Sequence, residues 1–222
     1  MAWLVLLVAG LAGAAPTEAQ RAVRGDGIAA IVGATTPRAD ATVLLHSDVD
    51  LRARLRLTRE LSEVPTGPLP AGLLRATLGE LVGEALIARE AQRVQVATPT
   101  EADVREERRR LEGLAGGADR LRAVLEAVGA SEREIDAMAE RRALVRVFLE
   151  ANLEGSARVS DEALERAFEA GEHPFIGQEL EDVREPMRVW LGRRRMAEAV
   201  ERWVQVLRTR TPVRILAAYA AE

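Results

Sequence analysis

Two histidines, His46 and His173, are the side chains in this sequence best suited to proton transfer near neutral pH. A histidine that acts as a general acid or base needs a second polar group held beside it, and neither histidine lies in a recognisable catalytic motif. The chain has no G-x-S-x-G elbow, no H-E-x-x-H pair and no phosphate-binding loop. We interpret both histidines as surface or hydrogen-bonded residues, and we expect no catalytic residue, cofactor or metal.

Acidic pairs are the other candidates for acid–base chemistry. Glu106 with Glu107, or Glu181 with Asp182, would need an apolar pocket to shift their pKa values. The segment from Thr100 to Leu114 instead reads TEADVREERRRLEGL, in which charges outnumber apolar residues. We expect a solvated helical face there, and a dimer contact is the alternative.

Composition excludes several further classes of protein. Of the 222 residues, 48% are hydrophobic, which is enough to build a core. All 31 basic residues are arginine, yet 35 acidic residues give a net charge of −4, so nucleic acid is not an expected partner. The chain contains no cysteine, which excludes disulfides, thiol catalysis and cysteine metal sites.

The N-terminus predicts export. Residues 2–15 read AWLVLLVAGLAGAA, an uncharged apolar stretch that is short for a membrane span of ~20 residues and is followed by small residues suited to signal peptidase. We interpret residues 1–19 as a signal peptide, cleaved after Ala14 or after Ala19. Because no Lys or Arg precedes the stretch, an uncleaved anchor facing the periplasm is the alternative. Residues 20–222 would form one periplasmic domain.

The mature chain is predicted to be mainly α-helical. Ser47, Thr100 and Ser160 are the predicted N-caps, and Ser131 with Glu134 forms a capping-box pattern. Apolar periodicity and these caps predict helices over residues 47–61, 73–94, 100–114, 118–128, 131–153, 160–171 and 180–208. Pro186 either falls in the first turn of the last helix, if that helix begins near residue 182, or marks a kink.

Short β-prone runs lie near both ends of the mature chain. IAAIV (Ile28 to Val32) and TVLL (Thr42 to Leu45) are separated by turn-forming residues, and VRIL (Val213 to Leu216) follows the last helix. An isolated strand leaves its backbone groups unpaired. We therefore predict that Ile28 to Val32 pairs with Val213 to Leu216, so that the C-terminus closes the fold.

The order of these elements resembles the N-terminal chaperone module of SurA-type periplasmic folding factors. The resemblance covers nearly all of the mature chain and rests on a strand followed by SDVD (residues 47–50), on LIAREA (Leu86 to Ala91), on VSDEALERAFEA (residues 159–170) and on the returning VRIL. The resemblance implies a helical module closed by its terminal strands and an activity that binds unfolded proteins.

The sequence also departs from that family. SurA-type members usually carry one or more parvulin prolyl isomerase domains of ~100 residues between VSDEALERAFEA and the last helix. Here only GEHPFIGQEL (residues 171–180) joins the two helices, and the two histidines cannot supply the paired-histidine site of a parvulin. We therefore expect a chaperone-like protein without isomerase activity.

Binding of extended apolar polypeptide is the activity that remains. Adaptable side chains, methionine above all, would line a groove for such clients, although each is individually more typical of core packing. The candidate lining residues are Met138, Phe148, Phe175, Met187, Trp190, Met196 and Trp203. We expect an ATP-independent chaperone for outer-membrane or secreted proteins, and the alternative is a non-catalytic envelope scaffold or membrane-anchored interaction subunit with the same fold.

Overall fold

A computed structural model gives the fold of residues 26–33, 40–61, 64–95, 98–153, 155 and 158–220. The predicted signal peptide, residues 1–19, lies outside this described part of the chain. The helices are α1 (His46–Glu60), α2 (Ala71–Val94), α3 (Glu101–Ala115), α4 (Ala118–Val128), α5 (Glu132–Leu153), α6 (Asp161–Glu169) and α7 (Leu180–Arg210). The strands are β1 (Ile28–Gly33), β2 (Ala41–Leu45) and β3 (Val213–Ile215). The predicted fold class, mainly α with a small antiparallel sheet, is confirmed.

The sheet joins the two ends of the described chain. Strand β1 lies in the middle and pairs antiparallel with β2 on one side and with β3 on the other. In the β1–β3 ladder Ala30 lies opposite Ile215, and Val32 lies opposite Val213. The pairing predicted between the first and last strands is thus confirmed, and β1 also pairs with β2, the strand that precedes α1.

The residues after β3 fasten the C-terminus to the body of the protein. The amides of Leu216 and Ala217 both donate to the carbonyl of Ala29, at 2.9 and 3.1 Å. Beyond them Tyr219 places its hydroxyl 3.2 Å from Nδ1 of His46, and the Tyr219 carbonyl accepts a hydrogen bond from Nε of Arg75 at 3.1 Å. The C-terminal segment therefore holds β1, the start of α1 and α2 together.

Two apolar clusters form the interior. The first joins the sheet to α2, α5 and α7, and its fully buried members include Val32, Leu78, Leu86 and Phe148. The second lies between α1, α3, α4 and α5. Its members include Leu55, Leu111, Leu121, Ile135 and Met138. Helix α2 is central because one of its faces carries apolar residues along most of its length, as its periodicity predicts.

The ends of the helices follow local sequence signals. Thr100 Oγ1 accepts a hydrogen bond from the Asp103 amide, and Ser160 Oγ accepts one from the Ala163 amide. Gly116 and Gly129 end α3 and α4 in the left-handed region, at φ 88° and 70°. The predicted N-caps Thr100 and Ser160 are confirmed.

The predicted N-cap of α1 is wrong by two residues. Strand β2 runs directly into the helix, so Leu45 is the N-cap and its amide donates to the Asp48 carboxylate at 2.8 Å. Ser47 lies inside the first turn, where its amide donates to Asp26 at 3.1 Å. The physical reason is the absence of a loop between β2 and α1, which leaves no room for a serine cap.

Helix α7 is a continuous helix of 31 residues, and the expectation that Pro186 lies in its first turn is wrong. The helix begins at Leu180, which places Pro186 in the second turn rather than the first. The proline leaves the carbonyl of Asp182 without its helical hydrogen bond, and the helix continues through it. The N-terminal half of α7 packs on α6, while its C-terminal half lies along α2. Among the described residues, no helix is long and apolar enough to cross a membrane.

Deletion of residues 211–222 should abolish cooperative unfolding, because it removes β3 and leaves one edge of β1 unpaired. Thermal melting followed by circular dichroism measures this. Full helical content with a cooperative transition in the truncated chain would contradict the prediction that the fold requires pairing of β3 with β1.

A pair of proline variants separates backbone pairing from loss of side chains. Pro212 and Leu216 face β1 through their backbone groups, so by antiparallel alternation Arg214 also faces β1 while Ile215 faces the open edge. We expect Arg214→Pro to lower the melting temperature more than Ile215→Pro does, since proline is tolerated on the open side of an edge strand.

Candidate functional site

Helices α2, α5 and α7 surround a groove of about 1200 Å³. Each helix contributes side chains three or four residues apart, so one face of each helix is turned toward the groove. On α7 the lining runs from Arg193 to Arg208, a rise of about 22 Å along a helix. The apolar surface is formed by Ala76, Gly79, Gly83, Ile87, Val145, Leu149, Met196, Ala197, Val200 and Val204.

Two glycines of α2 give the groove its depth. A Cβ atom added to Gly83 would lie 3.5 Å from a methyl group of Val204, so α2 and α7 are in van der Waals contact there. A Cβ atom added to Gly79, one turn earlier, would meet no described atom within 4 Å. A side chain at position 79 would therefore project into the groove without disturbing the packing of its walls.

One wall of the groove contains a buried carboxylate surrounded by arginines. Glu107 of α3 is 2% exposed. Its oxygens lie 2.7 Å from Nη1 of Arg110, 3.2 Å from Nε of Arg142 and 3.0 Å from Nε of Arg146. The expectation that Glu106 and Glu107 both lie on a solvated face is wrong for Glu107, because α5 packs on α3 and carries Arg142 and Arg146 over it.

Arg146 links this cluster to two further carboxylates. Its guanidinium lies 2.6 Å from Asp103 and 2.9 Å from Glu150. The hydrogen bond to Asp103 is the main reason why the pKa of Arg146 is raised above its ordinary value. The hydrogen bonds from the Thr100 side chain and backbone, with that of Arg146, lower the pKa of Asp103 from 3.8 to about 2.

A second ionic group lies on the α2 side of the groove. Glu84 pairs with Arg52 of α1, and Nε of Arg141 lies 3.4 Å from the other Glu84 oxygen, a charge contact without hydrogen-bond geometry. Burial lowers the pKa of Arg52, and the charge of Glu84 offsets part of this effect. The carboxylates of both groups are paired with arginine, so the ion pairs hold the walls of the groove, although Nε of Arg52 and Nε of Arg141 have no hydrogen-bond acceptor among the described residues.

Three of the seven predicted lining residues are interior residues. Met138 is 5% exposed in the second apolar cluster, Phe148 is 1% exposed in the first, and Met187 is fully buried on α7. Their helical spacing places them on faces that neighbouring helices cover. The prediction that these three residues line a groove is wrong, because all three are buried.

The other four predicted residues lie at three separate places. Met196 lines the groove. Trp203 packs on Phe148 with ring centroids 5.3 Å apart and borders the first apolar cluster. Phe175 follows His173 in the α6–α7 connection, and Trp190 lines a separate small cavity of about 270 Å³ beside α6. The structure therefore brings only Met196 to the groove.

The residues that sequence reasoning missed are small or aliphatic. Gly79, Gly83, Val145, Val200 and Val204 form much of the groove floor. The spacing of Gly79 and Gly83 in TLGELVGEAL was a usable signal, since glycine in a helix interior costs about 1 kcal/mol and calls for a packing reason. The valines carried no comparable signal because they match ordinary core positions.

The two histidines make structural contacts in separate parts of the molecule. His46 binds Tyr219, as described above. His173 stacks on Phe168 with centroids 4.6 Å apart, and its Nδ1 accepts a hydrogen bond from the Phe175 amide at 3.1 Å. The proton of the neutral ring is then on Nε2, which donates to the Phe168 carbonyl at 3.0 Å. Over the described ranges, no group of His, Asp and Glu residues has a metal-binding arrangement.

Comparison with protein-family models and with curated proteins gives no match to this chain.

Replacement of Glu107 by glutamine should lower the free energy of unfolding by about 2 kcal/mol, because three guanidinium groups lose their shared counter-charge. This loss of stability is smaller than the loss expected on breaking a fully buried ion pair, since the three arginines remain partly exposed to water. Urea unfolding measures it. Glu106→Gln is the matched control, and we expect a much smaller change in the free energy of unfolding because Glu106 is a surface partner. Equal effects of the two variants would contradict the burial of Glu107.

The low pKa of Asp103 predicts an acid-dependent contribution to stability. A carboxyl whose pKa falls from 3.8 to about 2 on folding stabilises the native state above pH 3.8. The contribution is lost as the pH falls toward 2. The stability difference between the native chain and Asp103→Asn should therefore shrink from pH 5 to pH 2. Asp119→Asn, at a carboxylate that is 95% exposed, should show no such change.

Proposed function

We propose that this protein is an exported, ATP-independent chaperone that binds unfolded or extended segments of outer-membrane or secreted proteins. The observation that carries the proposal is the groove between α2, α5 and α7, which combines an apolar floor with charged walls. Ligand pockets in proteins have this character, and a groove about 22 Å long would hold about seven residues of extended chain. A floor of glycine, valine, leucine and methionine side chains selects apolar surface rather than one particular sequence.

The resemblance to the SurA-type N-terminal module supports the proposal independently. The LIAREA phrase lies on α2, where Leu86, Ile87, Ala88 and Ala91 are buried, so it builds the helix that forms the back of the groove. The returning VRIL segment contains β3, which anchors α7 as the opposite wall. The motifs of the resemblance thus contribute to the architecture on which the groove depends.

Client binding would be weak and reversible. It would draw on burial of apolar surface, at about 25 cal/mol per Å², against the entropy lost by an extended chain. We propose no nucleotide requirement and no catalysis of prolyl isomerisation. Helices α6 and α7 are joined by a connection of about ten residues where SurA-type proteins carry their isomerase domains.

The location belongs to the same proposal. Export through residues 1–19 and release into the periplasm would leave a mature chain that starts near residue 20. Mass spectrometry of the protein recovered from the envelope tests this. A chain that retains its N-terminus and fractionates with membranes would favour the envelope scaffold instead.

The purified mature chain should suppress aggregation of an unfolded outer-membrane protein at near-stoichiometric ratios without ATP. Gly79→Leu should weaken this activity several-fold, because the new side chain fills the groove where no described atom lies within 4 Å of the added Cβ. The same substitution should not reduce stability, since glycine is the less favourable residue in a helix. Light scattering and thermal melting measure the two effects.

Gly113→Leu is the matched control for this experiment. Gly113 is an exposed helical glycine of α3 with no described atom within 4 Å of an added Cβ, and it does not line the groove. We expect Gly113→Leu to retain full activity. Equal activity of the two leucine variants would remove the groove from the proposal, and absence of activity in the unsubstituted chain would shift the function to an envelope scaffold.

A further inference from the structure

The charges that line the groove fall into two groups. Those of α2, α3 and α5 are paired within the chain: Glu80 with Arg56, Glu84 with Arg52, and Glu107 with its three arginines. The charged lining of α7 differs. Arg193, Glu201 and Arg208 have no ion-pair partner among the residues that the structure describes. The capacity of the groove for a charged ligand therefore lies on α7.

Of the two unpaired arginines, Arg193 and Arg208, the second gives the clearer indication of a ligand. Its Nε atom is shielded from solvent and has no hydrogen-bond acceptor among the described residues. A shielded donor without an acceptor is unusual in native proteins and is energetically unfavourable. The side chain lines the groove at the C-terminal end of α7, so an acceptor carried by a bound ligand would satisfy this donor.

Glu201 restricts where an acidic ligand group can lie. It is seven residues before Arg208, so the two charges are separated by about 10 Å along the helix. A carboxylate placed at the middle of the groove would be repelled by Glu201. One placed at the end of α7 would meet Arg208, whose planar guanidinium binds a carboxylate through paired N–H donors.

We propose that the groove prefers client segments in which an apolar run of about seven residues has an Asp or Glu at one end, with that carboxylate bound by Arg208. This inference rests on the proposed function and names its substrate class. The apolar run would cover Gly79, Val145 and Val204, while the acidic residue would fix the register and direction of the segment. The complementarity between the unpaired arginine and the client carboxylate supplies the selectivity that an aliphatic floor lacks.

Binding of three fluorescent peptides tests the proposal. All three carry the same seven-residue apolar run with blocked termini, followed by Glu, Gln or Lys, so that only a side-chain carboxylate distinguishes them. We expect the Glu peptide to bind about five- to tenfold more tightly than the Gln peptide, and the Lys peptide to bind least. The ratio between the affinities of the Glu and Gln peptides should fall as salt is raised from 50 to 500 mM.

Variants of α7 assign the preference to one residue. Arg208→Gln should abolish the difference between the Glu and Gln peptides while leaving binding of the Gln peptide nearly unchanged. Arg208→Lys should keep part of the preference, because it retains the charge without the planar fork. Arg202→Gln is the matched control: Arg202 lies on the same helix, is exposed and does not line the groove, so the preference should persist.

Several results would overturn the proposal, and they separate it from the chaperone function. Equal binding of the Glu and Gln peptides, both weakened by Gly79→Leu, would refute acidic selectivity and leave the groove as a client site. A Glu preference that survives in Arg208→Gln would place the carboxylate elsewhere. A dimer in sedimentation that dissociates in Gly79→Leu would make a second copy the occupant. No peptide binding together with no suppression of aggregation would overturn both proposals.

Discussion

The pairing of β1 with β3 is the constraint on which the remainder of the fold depends. It joins Ala30 to Ile215 across nearly the whole described chain, and it fixes the point at which α7 ends. Because only Thr211 and Pro212 connect the two elements, the C-terminal end of α7 must lie beside the sheet, and the helix packs along α2. The groove is a consequence: its α7 wall is held in place by a strand that contributes nothing to its lining.

Local signals in the sequence predict where helices begin and end better than they predict which side chains become buried between helices. Thr100 and Ser160 act on amides three residues away, so their caps could be predicted without knowledge of the fold. The environment of Glu107 depends on Arg142 and Arg146, more than thirty residues later, and on the packing of α5 against α3. No periodicity in TEADVREERRRLEGL distinguishes that carboxylate from its exposed neighbour Glu106.

Most of the predicted lining residues do not line the groove, and the reason is related. Large apolar side chains such as Met138, Phe148 and Met187 bury the most surface, and a folding chain places them where several helices converge. A groove that stays open needs the opposite property, namely side chains too small to fill the space between the walls. Gly79 and Gly83 meet that need, and a search for adaptable large residues overlooks them.

The exclusive use of arginine suits this arrangement. An arginine stem can lie along apolar surface while its guanidinium reaches two or three carboxylates, as Arg146 does with Asp103, Glu107 and Glu150. Such a network stiffens one wall without closing the space beside it. Arg208 has the same chemistry but no ion-pair partner among the described residues, and its shielded Nε lacks a hydrogen-bond acceptor there. On the proposal that an acidic client residue binds Arg208, this difference between the walls would give a bound segment a direction.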